Sequence, residues 1–203
     1  TLSFHETKNF ICGEGGALVL NDDRDVEAAH VLLDKGTNRK AFLDGAVDKY
    51  TWQGLGSSFG LSDILAAFLT AQLEQADEVR QARRRVAECY RELLEPVTDR
   101  FHLELPVEPD TATPADHMFY VLLPDAEERS AIIDHMRGQG VHPTFHYVPL
   151  HSSPAGRMLS DGPQHCPVTD DVSSRLLRLP FYNDLSEDDQ QRVVDSLVSA
   201  LER

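Results

Sequence analysis

Long apolar runs, paired cysteines and basic charge are all scarce in this sequence. The longest strongly apolar stretch, 64–69, falls far short of the ~20 residues of a membrane helix, so no membrane span is expected. Cysteine occurs three times, at Cys12, Cys89 and Cys166. An odd number, widely spaced and outside any CxxC pattern, argues against a disulfide framework or a zinc ribbon and fits reduced cytoplasmic thiols. Lysine and arginine number 19 against 34 acidic residues, a net charge of −15. That excess repels phosphate backbones, so nucleic acid is not expected as a partner. The only dense basic run, Arg83-Arg84-Arg85, sits in a helical stretch and reads as a solvated face. There is no internal repeat and no low-complexity tract, and no signal peptide is expected. The chain starts at Thr1, and Leu2-Ser3-Phe4 has the pattern of a buried strand, so the beginning of a longer protein is expected to be missing. What is present is an ordinary globular composition, 41% hydrophobic and 26% charged over 203 residues, enough for one large domain or two small ones.

Strand patterns at 2–5 and 17–20 are joined through Gly13-Glu14-Gly15-Gly16. Asp22 and Asp23 open a helix that runs to about Asp34, with Gly36 as its stop. The segment 35–60 is irregular, and so long a loop in a compact chain is usually functional. Ser62-Asp63 opens the longest element, whose apolar residues recur at three- and four-residue steps until Pro96 ends it. Its first turns are nearly all apolar and read as buried; its later, charged turns read as surface. Beyond Pro96 the pattern predicts strands at 101–105, 118–123 and 141–145, with helices at 126–138, 168–177 and 187–201. That mixture indicates a small α/β domain with helices on one face of a sheet.

The residues that carry chemistry begin at Ser3. Lys8 follows a strand, has a hydroxyl residue five positions before it, and precedes a tight glycine turn. A lysine can serve as a covalent or proton-transfer amine, a serine hydroxyl can hold a phosphate, and glycines allow close approach of backbone to a ligand. From spacing alone, an ordinary surface lysine at a strand end fits better. Farther along, His142, His146 and His151 lie close together, with His135 upstream. No helical i, i+4 spacing collects them and Pro143 and Pro149 interrupt the segment, so no metal site is expected. Trp52, with Tyr50, offers aromatic faces for a nucleobase or simply packs in its loop. His117 begins a strand and reads as a cap.

The string SFHETKN at 3–9, followed after three residues by GEGG, resembles the lysine motif of the DegT/DnrJ/EryC1/StrS sugar aminotransferases. KGTNRKAFLDGAVDKYTWQGLGSS, LSDILAAFLTAQLE, DHMFYVLL, FHYVPLH and LLRLPFYNDLS also resemble segments of that family, in the right order and across essentially the whole chain. The resemblance implies an α/β, fold-type-I transferase dependent on pyridoxal 5′-phosphate. Residues 1–60 would be the tail of its large cofactor domain, in a mainly parallel sheet, and 61–203 a long connecting helix plus a small C-terminal α/β domain. Lys8 would bind the cofactor and shuttle a proton, and Ser3 would hydrogen-bond its phosphate. Family members carry a GxNxR stretch that reaches a neighbouring subunit's cofactor. Here Ser58 stands for the asparagine and Gly60 for the arginine, which leaves the Ser58 hydroxyl as the remaining donor. His146, Tyr147 and His151 match a loop lining the sugar-nucleotide pocket, where ordinary packing roles fit each residue about as well; Trp52 is a further candidate there.

The implied reaction moves an amino group from glutamate to C4 of a dTDP-4-keto-6-deoxyhexose in a cytoplasmic homodimer. The aspartate, stacking aromatic and phosphate cradle of the fold type lie before the lysine in this family, so the N-terminal half is expected to be missing. Two alternatives stay open: a non-catalytic structural or dimerisation fragment, and a related nucleotide-sugar aminotransferase acting at another carbon.

Overall fold

The computed structural model describes residues 1–162 and 164–203. They form two compact units, Thr1–Ala76 and Asp77–Arg203. The first holds strands β1 (Leu2–Ser3) and β2 (Gly16–Ala17), then helices α1 (Val26–Leu33), α2 (Arg39–Leu43) and α3 (Asp63–Glu74). β1 and β2 pair antiparallel, Leu2 opposite Ala17 and Ser3 opposite Gly16. All strand pairs and bridges among the described residues are antiparallel, against the mainly parallel sheet expected around Lys8. The reason is local: the 4–15 loop returns the chain directly, without the helical crossover that a parallel pair needs. The expected buried strand at Leu2 is also corrected: Leu2 and Ser3 are both exposed, Leu2 on the wall of an open apolar cleft.

The expected single long helix divides in two. Ser62 Oγ accepts from Leu65 N and caps α3, which ends before Gln75; α4 (Ala76–Phe101) then begins. Pro96 lies inside α4 rather than ending it. A mid-helix proline removes one backbone hydrogen bond at ~3 kcal/mol. Leu93, Leu94, Val97 and Phe101 on either side pack on the core and hold the helix through it. The burial expected along this stretch is reversed. Ile64 and Phe68 at the apolar front are exposed and only Leu69 is buried, whereas Val86, Ala87, Tyr90 and Leu94 on the charged back line the core. One face of α4 meets a sheet; apart from Arg83, its charges occupy the other faces.

That sheet orders β3 (Phe119–Leu122), β5 (Leu176–Leu179) and β4 (Thr144–Phe145), with β5 in the middle. Phe119 faces Leu179 and Val121 faces Leu177 across the antiparallel ladder, and all four side chains are buried. Helices α5 (Arg129–Gly138) and α8 (Glu187–Leu201) pack on one another and send Ile132, Ile133, Met136, Val193, Val194 and Leu197 into the same core. Between β4 and β5 lie α6 (Pro154–Leu159) and α7 (Pro167–Arg175). The expected strand at 101–105 is reduced to one bridge between Glu104 and Leu122. The rest of 104–118 is a strap tied to α4 by arginines. Arg83 donates to the carbonyls of Asp116 and His117 at 2.8 and 2.7 Å, and Arg84 grips Glu108 at 2.7 and 3.0 Å. Arg83 is thus buried, not part of a solvated basic face. Its burial lowers its pKa, while its three acceptors, including Asn183 Oδ1, satisfy the charge.

Candidate active site

Lys8 sits in the loop between β1 and β2. The loop is laced by main-chain bonds: Phe4 N–H to Gly15 O at 2.8 Å, Glu6 N–H to Gly13 O at 3.0 Å, and Cys12 N–H to Phe4 O at 2.9 Å. Glycine is required twice. Gly13 has φ +83°, and a Cβ on Gly15 would lie 2.5 Å from the buried Cys12 sulfur. A turn closed by Lys8 N–H on His5 O, 2.9 Å, leaves the Lys8 side chain exposed. The chain's other lysines are Lys35, Lys40 and Lys49. Lys35 Nζ is tied to Asp34 and Lys40 Nζ to Asp44, whereas among the described residues no acid or hydrogen bond holds Lys8 Nζ. Ser3 Oγ accepts the His5 N–H at 3.5 Å, which leaves its hydroxyl hydrogen free to donate elsewhere. His5 Nδ1 receives the Thr7 N–H at 3.3 Å, and its Nε2 lies 3.5 Å from Glu14 Oε1.

Ser58 is held against the end of α1. Ser57 and Phe59 donate their N–H groups to Leu32 O and Leu33 O, both at 3.1 Å, satisfying carbonyls that a helix end leaves open. The close crossing behind it needs two glycines. A Cβ on Gly36 would fall 1.8 Å from Gly54 O, and one on Gly56 would fall 2.1 Å from Gly36 N. Leu2 and Phe59, the neighbours of Ser3 and Ser58, line one apolar cleft with Ala17, Leu18, Leu32 and Leu33. Trp52 bridges to Thr37 and donates its indole N–H to Gly54 O at 2.6 Å. It is 75% exposed, so its ring faces remain accessible while its only donor is committed.

The remaining candidates, His146, Tyr147 and His151, belong to the second unit. His146 and Tyr147 meet edge to face, ring centres 5.6 Å apart, at an apolar cleft whose far wall includes Val168 and Val172 of α7. Burial first, then the positive charge of Arg178, lowers the His146 pKa and favours the neutral ring. Its Nδ1 is buried with no hydrogen-bond partner. His151 does not share that cleft. It borders a polar one with Arg157, Ser160 and Gln164, and its Nε2 meets Asp170 Oδ1 at 2.9 Å. His135 is taken up by Ser199, Gln139 and Arg203. Among the described residues no three His, Cys, Asp or Glu side chains converge as a metal site, and the three cysteines are unbridged. Sequence reasoning missed Asp170 and Arg178, which no spacing rule connects to the histidine loop.

The profile of the DegT/DnrJ/EryC1/StrS aminotransferase family matches residues 1–198. A dTDP-3-amino-3,4,6-trideoxy-alpha-D-glucose transaminase of Micromonospora megalomicea subsp. nigra is 30% identical over 198 residues, 96% of this chain and 50% of that protein. A pleiotropic regulatory protein of Geobacillus stearothermophilus is 28% identical over 199 residues, 97% of this chain and 50% of its own length. The crystal structure of the aminotransferase TlmJ from Streptoalloteichus hindustanus superposes with a TM-score of 0.84 at 26% identity, covering 98% of this chain and 51% of that one. The chain thus spans about half the length of the relatives it matches.

Proposed function

The chain belongs to the DegT/DnrJ/EryC1/StrS aminotransferase family, and on that footing we propose that it carries the cofactor lysine and part of the sugar-nucleotide pocket of a pyridoxal-phosphate-dependent transaminase. In a polypeptide of its relatives' length, the reaction would move an amino group from glutamate to C4 of a dTDP-4-keto-6-deoxyhexose, giving dTDP-4-amino-4,6-dideoxygalactose. The observation that carries this reading is Lys8 itself: inside the family match, on a glycine-closed loop, with no acid or hydrogen bond on its amine among the described residues.

The residues present fit part of the cofactor. Lys8 Nζ would hold its aldehyde carbon and the free hydrogen of Ser3 would go to a phosphate oxygen, while the Ser58 hydroxyl would be a donor to a neighbouring subunit's cofactor. When bound, pyridoxal phosphate supplies a conjugated ring that draws electrons from the donor's α-carbon. Displaced from that carbon by the amino donor, the Lys8 amine would be free to take the donor's α-proton and move it to the cofactor carbon. The neutral His146 ring would border a sugar or base bound in its cleft. Tyr147 adds a phenol at the same cleft; separately, in the first unit, Trp52 offers an aromatic face that would suit a base. The same reading makes 1–60 the end of the cofactor domain and 61–203 the connecting helix and small domain. It also makes the assembled enzyme a cytoplasmic homodimer.

Borohydride reduction after addition of pyridoxal phosphate, followed by peptide mass spectrometry, tests the assignment. Label confined to Lys8 supports it; label scattered over Lys35, Lys40 and Lys49 sinks it and favours a purely structural role for this chain. A second reading, amination at C3, has one observation behind it: the 30% identical relative is named for a 3-amino sugar. Incubating an enzyme of full family length with glutamate and each ketosugar separates the two, and product from the C3-keto sugar alone overturns the C4 choice.

A further inference from the structure

The 146–153 loop leaves β4 and runs into α6, and α7 stands opposite it. The apolar cleft at His146 and Tyr147 lies between this loop and α7, with Val148 and Leu150 on one side and Val168 and Val172 on the other. Among the described residues, one hydrogen bond joins the two walls, His151 Nε2 to Asp170 Oδ1 at 2.9 Å. The His151 side chain is 14% exposed and that of Asp170 50%, so the bond is shielded on the imidazole side and open to water on the carboxylate side. Each partner is anchored on its own side. His151 stands in a single helical turn, Leu150–Ser152, followed by Ser153, whose Oγ caps α6 through Gly156 N at 3.0 Å. Asp170 lies in the first turn of α7, where its charge faces the positive end of the helix dipole, and its N–H is held by Cys166 O at 2.9 Å.

We propose that His151 and Asp170 are a positioning pair: their hydrogen bond sets the separation of the loop from α7 and so the width of the cleft that His146 and Tyr147 line. His151 acts through Asp170, with the Nε2 proton committed to the carboxylate and only Nδ1 left for other partners. What fills the cleft rests on the proposed function; the clasp itself does not.

The test uses the full chain in five forms: wild type, His151→Ala, Asp170→Ala, the double variant, and Asp170→Asn, whose amide oxygen still accepts from Nε2. Hydrogen exchange should be about fivefold faster over 146–153 and 167–173 in each alanine variant, the loss of one net hydrogen bond. The double variant should be no faster than either single one, and Asp170→Asn should stay near wild type. Nitrogen-15 spectra of the His151 ring should show the proton on Nε2 in wild type and Asp170→Asn, with a mixture in Asp170→Ala. Unchanged exchange in the single variants, or effects that add in the double, overturns the clasp. Thymidine 5′-diphosphate then probes the cleft through the His146 and Tyr147 resonances. Weaker binding in Asp170→Ala, restored in Asp170→Asn, ties the clasp to recognition, whereas equal binding in the two overturns its control of the cleft. No response even in wild type argues against the proposed pocket, while exchange and ring spectra still judge the clasp.

Discussion

The two units of this chain are built on different physical terms. In the second, α4, β3, α5, β5 and α8 share one continuous core with side chains exposed by a few per cent or less. In the first, Cys12 and Leu69 are the only buried apolar residues among those described, while Leu55 and Ile64 are 86% and 82% exposed. The first unit keeps its shape through main-chain hydrogen bonds and glycine contacts, around Gly13, Gly15, Gly36 and Gly56. Backbone lacing fixes a loop's path with little burial, and burial is what gives global stability. The lysine proposed for chemistry therefore sits in the unit with fewer buried apolar side chains among the described residues.

The broadest break in that comparison is amide exchange. Protection in β3, β5 and α8 should exceed that of the Lys8 loop by at least about a thousandfold; comparable protection would show that the first unit has stability its burial does not explain. Next is a pair of truncations followed by urea denaturation. Leu177→Ala, at the centre of the sheet, should cost ~2–5 kcal/mol, while Leu55→Ala should stay within ~0.5 kcal/mol. A smaller contrast lies inside the first unit. Gly36 and Gly45 share φ +73°, yet a Cβ on Gly36 meets Gly54 O at 1.8 Å and one on Gly45 meets nothing within 4 Å. Gly36→Ala should cost ~1–3 kcal/mol and Gly45→Ala about 1 kcal/mol, read as local exchange across 35–57. The smallest effect is a pH slope. The His146 pKa is lowered in the folded chain, so between the ordinary value near ~6.5 and the lower folded one the unfolded chain binds more protons. Stability should fall as pH drops through that window and level off below it. Thermal melts of His146→Gln should lack that component of the slope.

Much of the local structure was legible. Asp22 and Ser62 mark helix starts, Gly36 marks a stop, and the elements at 118–123, 126–138, 168–177 and 187–201 appear within a few residues of their expected places. The central strand β5 was not, because Leu176 and Leu177 continue the apolar pattern of α7 without a turn residue between them. The burial of α3 and α4 was read backwards for a related reason. Composition shows which face is apolar, but not whether anything lies against it. Arg83 looked like one of three surface arginines; its acceptors are carbonyls 33 and 34 residues away.

The division follows the range of the forces. The sequence alone determined the family, through SFHETKN and GEGG, along with the helix caps and the glycines that short-range sterics and nearby hydrogen bonds demand. The tertiary structure decided the place of β5 at the sheet centre, the buried face of α4, the separation of His146 from His151, and the choice of Asp170 as partner. Each of these depends on groups brought together from distant points of the chain, and burial or a shared proton is a property of the pair that neither residue carries in its own neighbourhood.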